Sequence, residues 1–167
     1  MAELLHSERL QPSLLDRLTD DAPDNRAESK EQRVLSFRQL KQSVLRDLSW
    51  LLNTASMESM VDLTDFPNVC HSVLNYGTPV LSGTHLTSLD VPHIEKKMRQ
   101  AIIDFEPRIL PDSIKLQLIT HEGQMNHRAL SFNIAGDLWA QPLPIQLYIR
   151  SELDLETGEV TVKDLGG

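Results

Sequence analysis

The hydropathy period of this chain changes once, at Pro111. Before it, apolar residues recur every three or four positions; after it, they recur at every second position. A period near 3.6 buries one stripe of a helix, and a period of 2 buries one face of a strand. Helices are therefore expected first and strands afterwards. Consecutive strands with no helix between them pair antiparallel. The expected fold is α+β, with N-terminal helices packed on one face of a small C-terminal antiparallel β-sheet of three to four strands.

The helical half has two strong segments. Phe37, Leu40, Val44, Leu48, Leu51 and Leu52 share one face of a helix expected over 36–52, with Arg38, Lys41, Gln42, Arg46 and Asp47 on the other. Ser36 is its expected N-cap, with Gln39 at the capping-box position, and Asn53-Thr54 breaks it. Residues 55–66 read as irregular. Val69, Val73 and Leu74 predict a short helix stopped by Asn75-Tyr76-Gly77, with Gly77 as its left-handed cap. The second long helix has Asp90 as cap, Ile94, Met98, Ala101, Ile102 and Phe105 on one face, and Pro107 as its stop. Glu106 thus falls at a helix C-terminus. Strands are expected at 114–119, 130–134 and 143–150, and a hairpin loop at Glu156-Thr157-Gly158 leads to a marginal fourth at Val160-Thr161-Val162.

Residues 19–33 are almost wholly polar and cannot bury enough apolar surface to offset the entropy of ordering them, so they read as a mobile linker. Ahead of it, Leu14, Leu15 and Leu18 share a face of a short amphipathic helix that either docks on the domain or anchors in a partner's groove. The expected organisation is a mobile segment over 1–35, carrying this anchor helix and an acidic linker, and one α+β domain over 36–167.

Composition excludes several classes. With 167 residues, 40% of them hydrophobic, the chain can close a core without disulfide or metal. The single cysteine, Cys70, cannot form an intramolecular disulfide, and a reducing compartment is expected. Against 24 acidic residues there are 16 Lys and Arg, a net charge of −8, which disfavours nucleic acid and anionic lipid. The apolar runs fall well short of the ~20 residues a membrane span needs, so no membrane insertion is expected. The first residues lack the basic and apolar regions of a secretory signal, and a cytoplasmic location follows.

The search for chemistry returns no catalytic residue, metal site or cofactor. His121-Glu122 with His127 lacks the spacing that sets two ligands on one helical face, and reads as a solvated turn. Cys70 and His71 are adjacent in sequence, whereas a nucleophile and its base must meet through space. Ser82-Gly83-Thr84 lacks the Lys and glycine spacing of a phosphate loop. A carboxylate pair drawn from Glu106, Asp104 and Glu95 could address a glycosidic bond only if one acid stayed protonated, and Arg108 works against that at Glu106. Glu106-Pro107-Arg108 is nevertheless the most informative local feature. A carboxylate at a helix C-terminus opposes the macrodipole by about 0.3–1 kcal/mol, so something compensates. One possibility is an internal ion pair of Glu106 with Arg108 or Arg46. The other is a rigid charged knuckle, fixed by Pro107 and presented to another protein.

Taken in order, Ser13-Leu14-Leu15-Asp16-Arg17-Leu18, Ser43-Val44-Leu45-Arg46-Asp47-Leu48 running on to Leu51-Leu52-Asn53-Thr54, Ser72-Val73-Leu74-Asn75-Tyr76-Gly77 and Phe105-Glu106-Pro107-Arg108-Ile109 resemble the TssE family. This is the small baseplate subunit of bacterial type VI secretion systems, similar to the wedge protein of contractile phage tails. The family's Arg after Asn53-Thr54 is replaced by Ala55. The resemblance implies a structural role despite the lysozyme-related label such sequences have carried. The implied partners are the wedge proteins TssF and TssG, TssK, the spike, and the sheath proteins TssB and TssC. Glu106, Pro107 and Arg108 are the implied assembly motif, and Leu14, Leu15 and Leu18 are expected to tether the chain to the wedge. The edge strand carrying Val160 and Val162, ending in Gly166-Gly167, is expected to pair with a sheath strand. Arg46, Asp47, Asn75, Tyr76 and Gly77 are expected to be structural. A soluble regulatory adaptor and a peptidoglycan hydrolase are the alternatives from other classes.

Overall fold

The computed structural model describes residues 13–19, 37–81, 90–119, 129–139 and 144–165. Among the described residues four α-helices, α1 (Leu14–Leu18), α2 (Phe37–Leu52), α3 (Pro67–Cys70) and α4 (Val91–Phe105), precede four strands, β1 (Lys115–Ile119), β2 (Ala129–Leu138), β3 (Ile145–Asp154) and β4 (Val160–Asp164). The strands form one antiparallel sheet in the order β1-β2-β3-β4. The α+β arrangement read from the change of period is the one observed.

The two periodic helices bury the faces that their spacing marks out: Leu40, Val44, Leu48, Leu51 and Leu52 on α2, and Ile94, Met98, Ala101 and Ile102 on α4. Asp90 caps α4, its carboxylate accepting from His93 N at 3.2 Å. Register then aligns the buried residues of the sheet. Leu116 lies opposite Ile134, which lies opposite Ile149, while Leu130 lies opposite Leu153, which lies opposite Val160. These side chains close one core with those of the helices, α2 packing along β4 and α4 along β1.

Three local expectations change. β2 and β3 extend beyond the alternating stretches, because Ala135, Gly136 and Asp137, poor strand formers, all pair with β3, with Ala135 also paired to β1 and Asp137 bonded to Ser113 and Leu110. Gly136 is required by a close approach, since a Cβ there would stand 2.8 Å from Ile109 Cγ2. The short helix around Val69 is instead two pieces, α3 starting at Pro67 and a 3-10 turn at Val73–Asn75. Val73 and Leu74 do not form a buried face, being 81% and 68% exposed. Gly77 does have a positive φ, +133°, just past the Tyr76 cap of that 3-10 turn, although it ends no α-helix. It lies against the chain just after α2, where a Cβ would come within 2.4 Å of Thr54 O, and the two segments are joined by Thr78 N to Thr54 O at 2.8 Å and Ser56 N to Thr78 O at 3.0 Å. Within 55–66 the chain also makes a 3-10 turn at Met57–Ser59.

The Ser36 cap, most of the 19–33 linker, the boundary near residue 35, Ser82-Gly83-Thr84, His121, Glu122, His127, Leu143 and Gly166-Gly167 lie outside the described residues. Among the described residues, no helix is long and apolar enough to cross a membrane.

Candidate partner-binding site

Glu106 ends α4, and Pro107 turns the chain out of the helix toward the sheet. The turn is stapled to the end of β2, with Trp139 N donating to Arg108 O at 2.7 Å and Leu110 N to Asp137 O at 2.9 Å. Backbone bonds thus fix where Arg108 leaves the chain. Its guanidinium folds back: Nε donates to Glu106 Oε1 at 2.6 Å and Nη2 to Glu106 Oε2 at 2.5 Å. Arg108 N adds a third bond to Oε1 at 3.2 Å. Glu106 is only 2% exposed, so its oxygens face Arg108 rather than solvent. Of the two ways to compensate the helix terminus, the structure contains the internal pair.

The pair continues into α2. Arg108 Nη2 reaches Asp47 Oδ2 at 2.5 Å and Nη1 reaches Ser43 Oγ at 3.2 Å. Asp47 Oδ1 accepts from Arg46 Nε at 2.8 Å, and Arg46 Nη1 donates to Asp16 Oδ1 of α1 at 2.6 Å. Arg46 therefore does not pair with Glu106; it stands one carboxylate away, over the Trp50 ring at 5.0 Å. Charges alternate from Asp16 through Arg46, Asp47 and Arg108 to Glu106. Burial opposes the charge on Arg108, but Glu106 and then Asp47 outweigh it and raise its affinity for the proton. Burial likewise opposes the Asp16 carboxylate, and the Ser13 hydroxyl and Arg46 outweigh it, holding its pKa below the ordinary value. Tyr76 stands beside this chain, its ring edge-on to Phe105 at 5.2 Å. Burial, with Asp47 and Glu106, pushes its phenol up.

Asn75 and Gly77 hold the neighbouring loop. Buried Asn75 accepts from Glu58 N and donates to Cys70 O, both at 2.9 Å. The other chemistry-bearing residues are occupied separately. His71 Nδ1 meets Asp104 Oδ2 at 2.7 Å rather than Cys70, whose Sγ points at Leu63 O at 3.6 Å. Glu95 accepts from Leu118 N at 2.7 Å. The three carboxylates considered for glycosidic chemistry are thus engaged with different partners. Among the described residues, no group of His, Cys, Asp and Glu is placed to hold a metal ion.

α1 does not bury its leucines. Leu14 and Leu18 are 70% and 75% exposed and Leu15 is exposed as well, while the polar side reaches α2 through Asp16. The leucine ridge that the spacing marks out exists, and it faces outward.

Each edge of the sheet is met by a helix, β1 by α4 and β4 by α2. At β1, α4 supplies Glu95 to Leu118 N, and Arg99 Nε donates to Ile114 O at 3.1 Å. At β4, the bonds of Leu165 N to Tyr148 O and Asp154 N to Glu159 O set the phase of the ladder with β3. Val160 and Val162, opposite Leu153 and Ser151, then turn their backbone N–H and C=O away from β3. At Val160 both groups are taken by Asn53, whose Nδ2 donates to Val160 O and whose Oδ1 accepts from Val160 N, each at 2.8 Å. The side chain of Val160 is buried and that of Val162 half-buried. Val162 has no such clip among the described residues.

Asp16, Ser43, Asp47 and Asn53 belong to this arrangement although sequence reasoning assigned them no contact with it. Ser13 caps α1, accepting from Asp16 N at 3.3 Å while its hydroxyl donates to Asp16 Oδ2 at 2.6 Å. Nothing local marks Asn53, whose partner is 107 residues away.

The described residues thus carry a chain of ion pairs behind a stapled turn, an outward leucine ridge and a sheet edge with Val162 turned outward. The family model described as baseplate wedge protein gp25 matches residues 38–143, well over half of the chain, and the chain belongs to that family. The match runs from α2 through β2 and agrees with the resemblance to TssE. No curated protein and no solved structure matches.

Proposed function

We propose that this chain is a non-catalytic structural subunit of a type VI secretion baseplate, working in the cytoplasm. In this reading it joins the TssF and TssG wedge, near TssK and the spike, and starts assembly of the TssB/TssC sheath. The family supports a structural baseplate role. The observation that carries the finer reading is the edge of β4, where the outward N–H and C=O of Val162 lie between the Asn53 clip at Val160 and the Lys41–Asp164 ion pair. Such groups form a template for an added strand, in which main-chain bonds give affinity and flanking side chains give register. Pro107 is exposed and Arg108 is partly so, which leaves the rim of the ion-pair chain for complementary charge on a wedge protein. The leucines of α1, held outward by Asp16, supply an apolar contact beside it.

Affinity co-purification of the tagged full chain from its native cell tests this. Wild type is expected to retain wedge and sheath proteins. Val162→Pro is expected to keep the wedge and lose the sheath, and Pro107→Ala/Arg108→Gln, checked by thermal melting, to lose the wedge. Recovery of neither set by folded wild type contradicts the reading and favours the adaptor alternative. Hydrolysis of purified peptidoglycan by the wild-type chain would favour the enzyme.

A further inference from the structure

Between α2 and α4 the chain from Met57 to Gly77 is pinned from several sides, yet its large apolar side chains stand in solvent. Met60 and Val73 are 80% and 81% exposed, and Met57, Val61, Phe66 and Leu74 are exposed as well. We propose that this surface docks a basic amphipathic helix of another protein, its apolar stripe against these side chains and its Lys or Arg against Asp62 and Asp65. The inference goes beyond the baseplate reading, adding a contact that neither the β4 edge nor the Pro107 turn supplies.

The 3-10 turn at Met57–Ser59 and α3 both pack on the 3-10 turn at Val73–Asn75, so the pieces that carry these side chains form one platform. Asn75 ties Glu58 N to Cys70 O within it. Two side-chain pairs fasten it to α4, Lys97 Nζ with Glu58 Oε2 at 2.9 Å and His71 Nδ1 with Asp104 Oδ2 at 2.7 Å. A surface held in this way is set before anything binds, and little ordering is left to oppose association. Exposed apolar side chains gathered in one patch mark a contact site. The backbone N–H groups of Met60, Val61, Phe66 and Asn75 are bonded within the turns, so the platform offers no strand edge and is met through side chains. An amphipathic helix supplies such a stripe.

Charge selects the kind of helix. Between Arg46 and Lys96 the sequence holds no Lys or Arg, and its charged residues, His aside, are all acidic. Glu58 is taken by Lys97. Asp62 and Asp65 are exposed and have no basic partner among the described residues. Asp62 accepts from the backbone N–H and the hydroxyl of Thr64, which hold its carboxyl below the ordinary value and keep it charged. Cations beside an apolar stripe complement this rim. Two copies meeting patch to patch would set the same carboxylates against each other, in chains that each carry a net charge of −8. An anionic lipid surface meets the same repulsion.

The test is photo-crosslinking of the full chain in its native cell, with p-benzoylphenylalanine at position 60 or 74 and the cross-linked peptides identified by mass spectrometry. Both positions are expected to reach one segment of a different protein, in which Lys or Arg flank apolar residues at three- and four-residue steps. A synthetic peptide of that segment is then titrated against the purified chain by fluorescence anisotropy. Val73→Asp and Asp62→Lys/Asp65→Lys are each expected to weaken binding about tenfold or more, the second because two rim attractions become repulsions. The peptide with its Lys and Arg changed to Glu is expected to prefer Asp62→Lys/Asp65→Lys to wild type. Circular dichroism confirms folding; should the double variant misfold, Asp65→Lys, which leaves the Asp62–Thr64 bonds in place, decides by the same criteria. Cross-links only to lipid or to other copies of this chain, no cross-link at either position, a segment without basic residues, or an affinity indifferent to both carboxylates overturns the proposal. Val162→Pro is expected to leave these cross-links intact, so loss of sheaths and loss of this contact are separate results.

Discussion

Replacing Arg108 with alanine should destabilise this protein more than any other single change at its surface, and the reason is Glu106. The substitution removes the two guanidinium bonds to a carboxylate whose side chain is 3% exposed and leaves it with the 3.2 Å bond from Arg108 N. Stranding one partner of a buried ion pair costs about 3–5 kcal/mol. The Asp47 carboxylate also loses a partner, but it is more exposed and keeps Arg46, so that loss adds less than about 1 kcal/mol. Against a total stability of about 5–15 kcal/mol, the effect is large. Glu106→Gln in the same background removes the stranded charge, so the double variant should be more stable than Arg108→Ala alone, by about 1–2 kcal/mol. Urea unfolding followed by circular dichroism gives the three free energies. A loss below about 1 kcal/mol for Arg108→Ala, or a double variant as unstable as the sum of the two single ones, would refute the claim that Glu106 is a buried, Arg108-dependent charge.

The charge exchange Glu106→Arg with Arg108→Glu should not restore stability even though the pair is internal, because the new carboxylate at 108 would face Asp47; unfolding midpoints should recover only when Asp47→Lys is added. The Asp16 carboxyl is held below its ordinary value, so docking of α1 is stabilised above the unfolded aspartate pKa of about 3.9 and is lost as pH falls through the lower folded value. A spin label at residue 15 should become mobile in that acid window and, in Asp16→Asn, at neutral pH too. The Tyr76 phenol is pushed up, so its contribution is complete below pH 10 and lost as pH rises beyond it. Melting temperatures between pH 9 and 11 should therefore fall more steeply for wild type than for Tyr76→Phe. Gly77→Ala should cost roughly 2–5 kcal/mol in urea unfolding, combining a positive φ with a Cβ placed against Thr54 O.

What the sequence made legible follows the reach of each interaction. The order of layers came from periodicity, and the ends of α4 from Asp90 and Pro107, all signals carried within a few residues. Ala135-Gly136-Asp137 looks like a turn in isolation and becomes strand only because β3 lies along all three and the chain at Leu110 and Ser113 holds Asp137 from the other side. Val73 and Leu74 have helical spacing, yet the chain breaks after α3 and leaves them outside. The site divides in the same way. Glu106 and Arg108 stand two residues apart, and their pairing was one of two open readings. Asp47 lies 61 residues from Arg108 and Asp16 lies 30 from Arg46, and only the packing of α1, α2 and the Pro107 turn brings them into one chain of charges. The edge strand was legible as marginal and exposed. That Asn53 closes part of it was not, because an Asn after a helix reads equally well as a simple stop.

The central claim is that the open part of the β4 edge starts sheath assembly. It is tested most directly by imaging fluorescent sheath formation in cells whose own copy is replaced by the Val162→Pro chain, beside Val162→Thr, which keeps the N–H. Proline at this position should leave the protein folded and the baseplate formed while abolishing sheaths, with threonine supporting them at wild-type frequency. Normal sheaths in the proline strain, with the variant shown to be the copy present, would contradict the account.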